Sequence, residues 1–273
     1  MHISVSRKRA VLGTIAVAAA FAVTAASAQA ASITPPPNIA SAGKLVFCSD
    51  ITYPPEEFYK GTTPAGSDID IGTAIAKRFG VKAKFDNTGF DAIIAAVLSN
   101  KCDAVISGMN DTPARRKQVS FVDYISVGQS LMVKAGNPEH IATLNDLAGK
   151  SVSVEVGTTN KDFLDAANKK LTKKIKIVAF PHDTDAANAL VANKVDAYFG
   201  DAPVVAYYIQ KAPKSFAFGG SPINPIAVGI AISKKNASLT AAVKKAVDGM
   251  YADGTMKTIL AKWKMSSFAL KGK

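Results

Sequence analysis

From Lys44 onward, short runs rich in β-branched residues alternate with segments whose apolar residues recur at helical spacing, and this alternation constrains the fold more than any other feature. Strand-like runs fall at Lys44–Cys48, Val81–Phe85, Asp103–Ser107, Ser151–Val156, Ile175–Phe180 and Asp196–Gly200. Helical spacing falls between them at Ile69–Phe79, Phe90–Ser99, Asn160–Lys169 and Asp185–Asn193. Two further helical segments, Leu239–Ala252 and Met256–Lys264, break at Asp253-Gly254. The alternation predicts an α/β fold with parallel strands. A weak internal repeat sharpens this. Phe90-Asp91-Ala92 opens a helix that ends in Asn100-Lys101-Cys102-Asp103-Ala104, and Thr184-Asp185-Ala186 opens one that ends in Asn193-Lys194-Val195-Asp196-Ala197. The repeat predicts two similar α/β lobes with a cleft between them. The first takes residues 44–125 plus 234–273, the second residues 134–223, and residues 126–133 and 224–233 form a two-strand hinge.

The first thirty residues have a different character. Arg7-Lys8-Arg9 precedes an apolar run from Val11 to Ala25 and the small residues Ala26-Ser27-Ala28-Gln29-Ala30. That order is a cleavable secretory signal peptide over residues 1–30, cut after Ala30 or Ala28, with a run short for a membrane span. No cysteine stands at the cleavage region, so a lipid anchor is not expected. Residues 31–43, with Pro35-Pro36-Pro37, read as a flexible lead-in. The formal charge of +12 raises nucleic-acid binding, but loss of residues 1–30 lowers it to +9. The lysines are also dispersed, without aromatic platforms among them, so no nucleic-acid partner is expected.

In open α/β sheets, ligands bind beyond the carboxyl ends of the strands. Those ends are polar here: Ser49-Asp50, Ser107-Gly108-Met109-Asn110, Gly157-Thr158-Thr159, Pro181-His182-Asp183-Thr184 and Asp201. Thr112 as N-cap and Pro113 at the first helical position set Arg115 in a first turn, where a guanidinium can fork onto a carboxylate. Thr158 and Thr159 precede a second helix start, a further anion-binding feature. Asp201 is an acceptor for an ammonium. Carboxylate and ammonium on one small molecule describe an amino acid. Each residue also has an ordinary structural role: Thr112 and Asp201 as caps, Arg115 on a solvated face, Tyr53 and Phe90 in a core, His182 in a surface loop.

No catalytic constellation, Gly-rich phosphate loop or zinc spacing is present, so neither an enzyme nor a metal or other cofactor is expected. Export permits a Cys48–Cys102 bridge. With Asp50 level with Ser107, however, an extended strand sets Cys102 roughly 10 Å from Cys48, beyond the ~7 Å Cα limit. A register shift of two residues reverses that result, and the pairing stays open.

Read in order, Ser49-Asp50-x-x-Tyr53-Pro54-Pro55, Gly66-x-Asp68-x-Asp70, Phe90-Asp91-Ala92-Ile93-Ile94, Ser107-Gly108-Met109 with Thr112-x-x-Arg115, Gly157-Thr158 and Asp196-Ala197 with Asp201 form a set. With them the chain resembles the periplasmic solute-binding proteins of polar amino-acid ABC transporters, bacterial extracellular solute-binding protein family 3. The resemblance implies a periplasmic binding protein type II-like fold that closes over a polar or charged L-amino acid. It also implies a periplasmic monomer that delivers the ligand to a membrane permease. Arg115 would bind the α-carboxylate with Thr158 and Thr159, and Asp201 the α-ammonium with the backbone around Gly108. Tyr53 and Phe90 would stack on the side chain, with Asp50 and Ser107 at its polar end. His182 and Asp183 are further specificity positions. Asn110 stands where the family has a small hydroxyl residue, and Glu56-Glu57-Phe58 where Pro-Phe-Glu is typical. Some exported relatives are dehydratases of prephenate-like acids, which makes a cyclohexadienyl or arogenate dehydratase the rival reading, with Glu155, Asp183 or Asp50 as the acid.

Overall fold

The computed structural model describes residues 1–3 and 33–272, so nearly all of the expected signal peptide lies outside the described residues. The chain runs through α1 (Pro37–Ala42), β1 (Lys44–Ser49), the short strands β2 (Thr52–Tyr53), β3 (Glu57–Lys60) and β4 (Thr63–Ala65), then α2 (Ser67–Arg78) and β5 (Lys82–Asn87). Next come α3 (Ile93–Leu98), β6 (Ala104–Val105), the one-turn α4 (Pro113–Arg116) and the long β7 (Val119–Lys134). β8 (Ser151–Glu155), α5 (Thr159–Lys170), β9 (Lys176–Phe180), α6 (Asp183–Val191), β10 (Ala197–Asp201), α7 (Ala202–Lys211) and β11 (Phe216–Phe218) follow. β12 (Ile223–Ser233), α8 (Ala237–Ala252) and α9 (Thr255–Lys262) complete the order.

One sheet runs β5-β1-β6-β12-β7-β10-β8-β9, with β11 added on β7. β5, β1 and β6 are parallel, and so are β9, β8 and β10. The same second–first–third strand order therefore occurs twice, on either side of the antiparallel pair β7–β12. Two lobes result. Each has its own core clusters, and Tyr53 of the first lobe reaches into one of the second. Successive strand residues point to opposite faces, so Phe47 joins a cluster with Ile75, Tyr124 and Val247, while Cys48 joins one with Ile93 and Val97. In the second lobe Tyr198 packs with Leu190 and Val204, and Phe199 with Val154 and Leu164.

The sequence repeat has the same geometry in both lobes. Asn100 and Asn193 adopt φ of 62° and 56°, the left-handed turn that ends a helix and that Asn tolerates. Asp103 then accepts from the Val46 amide at 2.8 Å, and Asp196 from the Ser151 amide at 2.7 Å, each carboxylate holding the start of its lobe's first strand.

That turn settles the cysteines. Cys48 lies opposite Val105, the register assumed from sequence. Cys102, however, is not on an extended strand: β6 begins only at Ala104, and the turn brings Cys102 to a Cα separation of 5.7 Å from Cys48, where the two are disulfide-bonded. The lead-in also differs from its expectation. Pro37 occupies the start of α1, where its fixed φ suits a helix. Ile33 and Ile39 are buried in the first lobe's core, so residues 33–42 pack against it. β7 starts at Val119, ahead of the expected hinge strand. It pairs with β12 along most of its length and with β10 over Gln129–Val133, so the two long strands run through both lobes.

Candidate ligand-binding cleft

The carboxyl ends of β1, β6, β8 and β10 converge on one small cavity between the lobes, lined by Asp50, Tyr53, Phe90, Gly108, Asn110, Glu155, Thr158, Asn160 and Asp201.

Asp201 decides between its two roles. It stands at the N-cap position of α7 but makes no side-chain cap bond. Its carboxylate faces the cavity instead, accepting from Asn160 Nδ2 at 3.2 Å. Burial raises its pKa to about 6, against the hydrogen bonds that lower it. Asp50 extends from the end of β1 with both oxygens held: Oδ1 accepts from the Thr52 hydroxyl at 2.7 Å and Oδ2 from the Phe90 amide at 2.8 Å. Burial still holds its carboxyl above the usual range. Glu155 ends β8 with Oε1 buried and unpartnered, and burial, with repulsion from Asp183, raises its pKa well above normal. Asp183 accepts from the Tyr198 hydroxyl at 2.5 Å, and burial pushes it up to about 8.

Thr112 caps α4 by accepting from the Arg115 amide at 3.2 Å. The helix is a single turn, so the basic character of this wall comes from the Arg115 side chain. Arg115 bridges the lobes, its Nη1 donating to the Asn110 carbonyl at 2.9 Å and its Nη2 to the Gly157 carbonyl at 3.0 Å. Its guanidinium lies 5.3 Å from the centre of the Phe90 ring, beside the cavity. Burial lowers its pKa, while Asp162 and Asp201 hold it up.

Three more bonds tie the walls together. The Asp201 amide donates to the Tyr53 hydroxyl at 3.2 Å, the Asp183 amide to the Thr52 hydroxyl at 3.3 Å, and the Thr159 hydroxyl to Asn110 Oδ1 at 2.5 Å. The lobes are closed on each other. Gly157 allows the approach: a Cβ there would sit 2.9 Å from Asp91 Cα. Gly108, at φ 49°, lets the Tyr53 ring close to 3.1 Å of where its own Cβ would be.

Several expected residues stand behind the wall. The Ser107 hydroxyl accepts from the Asp50 amide at 2.9 Å and donates to Glu57 Oε1 at 2.7 Å, so it positions Asp50 and does not line the cavity. Thr159 acts through Asn110. His182 is half exposed, its Nδ1 3.9 Å from Asp50 Oδ1. Asn160 was not anticipated as a site residue, and Glu155 only as an acid for the rival chemistry. Glu155 was legible as a polar strand end, and Asn160 as the neighbour of Thr158-Thr159 at a helix start. Among the described residues no cluster of His, Cys, Asp or Glu is arranged to hold a metal ion.

A family model described as bacterial extracellular solute-binding proteins, family 3, matches residues 45–266. The chain belongs to this family. It is 30% identical over 230 residues to the putative ABC transporter arginine-binding protein 2 of Escherichia coli strain K12, covering 82% of this chain and 91% of that protein. It superposes on an ancestral arginine-binding protein bound to arginine with a TM-score of 0.77, 36% identity, and coverage of 81% of this chain and 98% of that one. An ancestral amino-acid-binding protein described as a precursor of cyclohexadienyl dehydratase gives a TM-score of 0.77 at 33% identity, covering 83% of this chain and 97% of that one. The type II two-lobe architecture is common to these neighbours.

Proposed function

We propose that this protein is the periplasmic solute-binding component of an ABC importer and that its ligand is a cationic L-amino acid, arginine or a close analogue. The observation that carries the reading is the charge balance of the cleft. Asp50, Glu155 and Asp201 line the cavity and Asp183 lies beside them, while Arg115 brings a guanidinium to its edge. A ligand α-carboxylate pairs with Arg115 and an α-ammonium with Asp201. The remaining buried carboxyls are raised by desolvation and by one another, so a cationic side chain between Asp50 and Glu155 relieves their repulsion, whereas a neutral one leaves it in place.

Binding requires no bond to be made or broken. The ligand touches groups from both lobes, so it binds the closed state better than the open one and shifts the balance toward closure; a ligand held by one lobe alone would not. Micromolar affinity needs about −8.2 kcal/mol, within reach of two charge-assisted ends, a paired side chain and the Tyr53 and Phe90 rings. The closed protein, a monomer exported by its N-terminal signal peptide, then hands the ligand to a membrane permease. A thermal-shift screen of the twenty amino acids on ligand-free protein tests this. L-arginine and L-lysine should raise the midpoint most, and an acidic or aliphatic amino acid at the head of the ranking would overturn the reading.

A second reading rests on Glu155. Its buried carboxyl, with an unpartnered oxygen and a raised pKa, has the character of a general acid. Turnover of prephenate or arogenate by the purified protein would establish a dehydratase; none, with arginine binding, establishes the binding protein.

A further inference from the structure

The closed lobes share a second opening that has no lining residue in common with the ligand cleft. β3 and the end of α9 in the first lobe face α7 of the second across a groove of about 330 Å³. Its floor is aromatic and joins the lobes: Phe58 lies 5.7 Å from Tyr207 and 5.8 Å from Trp263, centre to centre. Its rim is basic. Lys60, Lys211, Lys262 and Lys264 line it, and no acidic residue does. Lys262 is paired with Asp70 at 2.7 Å, while Lys60, Lys211 and Lys264 have no ion-pair partner among the described residues. Lys60 Nζ lies 4.9 Å from the centre of the Trp263 ring and Lys211 Nζ 5.4 Å from that of Tyr207, so these charges are held over the floor.

We propose that this groove docks an acidic segment of the membrane partner, one that carries carboxylates to the lysine rim and an apolar side chain to the aromatic floor. The charge complementarity selects such an occupant. Uncompensated lysines attract it over distance and repel basic segments, and the rings supply burial that charge alone does not. The groove has one wall on each lobe, so lobe closure assembles it. The proposal rests on the amino-acid reading only for what drives that closure. By linkage, a segment that prefers the closed form and a ligand that causes it strengthen each other by the same factor, typically about 5- to 150-fold.

Trp263 is the single tryptophan of the chain and lies in the groove, so its fluorescence reports occupancy directly. The probes are hexaglutamate and hexalysine, titrated into the mature protein at low salt, with and without saturating L-arginine. Hexaglutamate should shift the emission saturably, more weakly as salt rises, and at least about fivefold more tightly with L-arginine. Hexalysine should give no such response. The double variant K60E/K211E should lose the hexaglutamate response while its arginine titration, followed by calorimetry, stays unchanged. No hexaglutamate response, an equal response to hexalysine, or a response intact in K60E/K211E overturns the docking surface. Failure of L-arginine to bind in calorimetry is a separate result: it removes the amino-acid reading, and hexaglutamate against K60E/K211E still decides the groove.

Discussion

Replacing Arg115 with alanine separates binding from folding more cleanly than any other change. Its guanidinium is the cation that spans the two lobes, donating to Asn110 O on one side and Gly157 O on the other. Without it, a ligand α-carboxylate enters a desolvated cleft already crowded with acids and finds no counter-charge. Truncating one member of a buried charge pair costs about 2–5 kcal/mol. The neighbouring carboxylates place this case in the upper part of that range, so a loss of about 3–5 kcal/mol is expected, about 150- to 4,000-fold in affinity. The fold should lose little, because Arg115 is only partly buried and α4 is capped by Thr112 through the main chain. Arg115→Lys keeps the charge and loses the fork, and should fall between. Calorimetric titration with L-arginine, alongside thermal unfolding of each ligand-free variant, checks both halves. Arginine affinity for Arg115→Ala within about threefold of the parent, a difference of only ~0.7 kcal/mol, would rule out this role for Arg115.

Gly157→Ala should hold the lobes apart, since its Cβ would meet the Asp91 backbone at 2.9 Å; small-angle scattering should show no compaction with L-arginine where the parent compacts. Arginine affinity should rise with pH from 5 to 7, about tenfold per unit below pH 6, because Asp201, at about 6, must be ionised to hold an ammonium; calorimetry giving a flat profile there contradicts the assignment. Without ligand the sign is opposite. The Asp201 carboxyl binds its proton more tightly in the closed fold than at its ordinary 3.8, so its stabilising effect is lost as pH rises from 3.8 to about 6, which denaturant midpoints can follow. Replacing Cys48 and Cys102 by serine opens a link between residues 54 apart, which chain entropy values at roughly 4 kcal/mol; urea unfolding should report that loss while arginine affinity changes little.

The elements legible in the sequence are those whose signal is local. Periodicity located β1, β8, β9 and the long helices to within a few residues, and the Asn–Asp repeat marked two lobes because the same turn and the same carboxylate–amide bond recur in each. Strand-end polarity placed Asp50, Gly108, Asn110, Thr158 and Asp201 at one opening, which is where the cavity lies. What the sequence hid depends on side-chain direction and on partners far along the chain. Ser107 is polar and at a strand end, yet its hydroxyl is spent on Asp50 and Glu57. Asn160 faces the cavity only because α5 starts beside β10. Cys102 was set too far from Cys48 by treating a turn as a strand, and Pro35-Pro36-Pro37 looked slack because Ile33 and Ile39 find their partners only in the folded lobe.

In the binding mode we propose, opposed walls grip both ends of one zwitterion and the surplus carboxylates call for a positive side chain. Calorimetric titration of the ligand-free protein with L-arginine and, in parallel, with L-citrulline tests it most directly, since the two share size and α-groups and differ in side-chain charge. Arginine should bind at micromolar affinity or tighter and citrulline at least about a hundredfold more weakly, close to 2.7 kcal/mol. Equal affinities, or citrulline the tighter of the two, would contradict it.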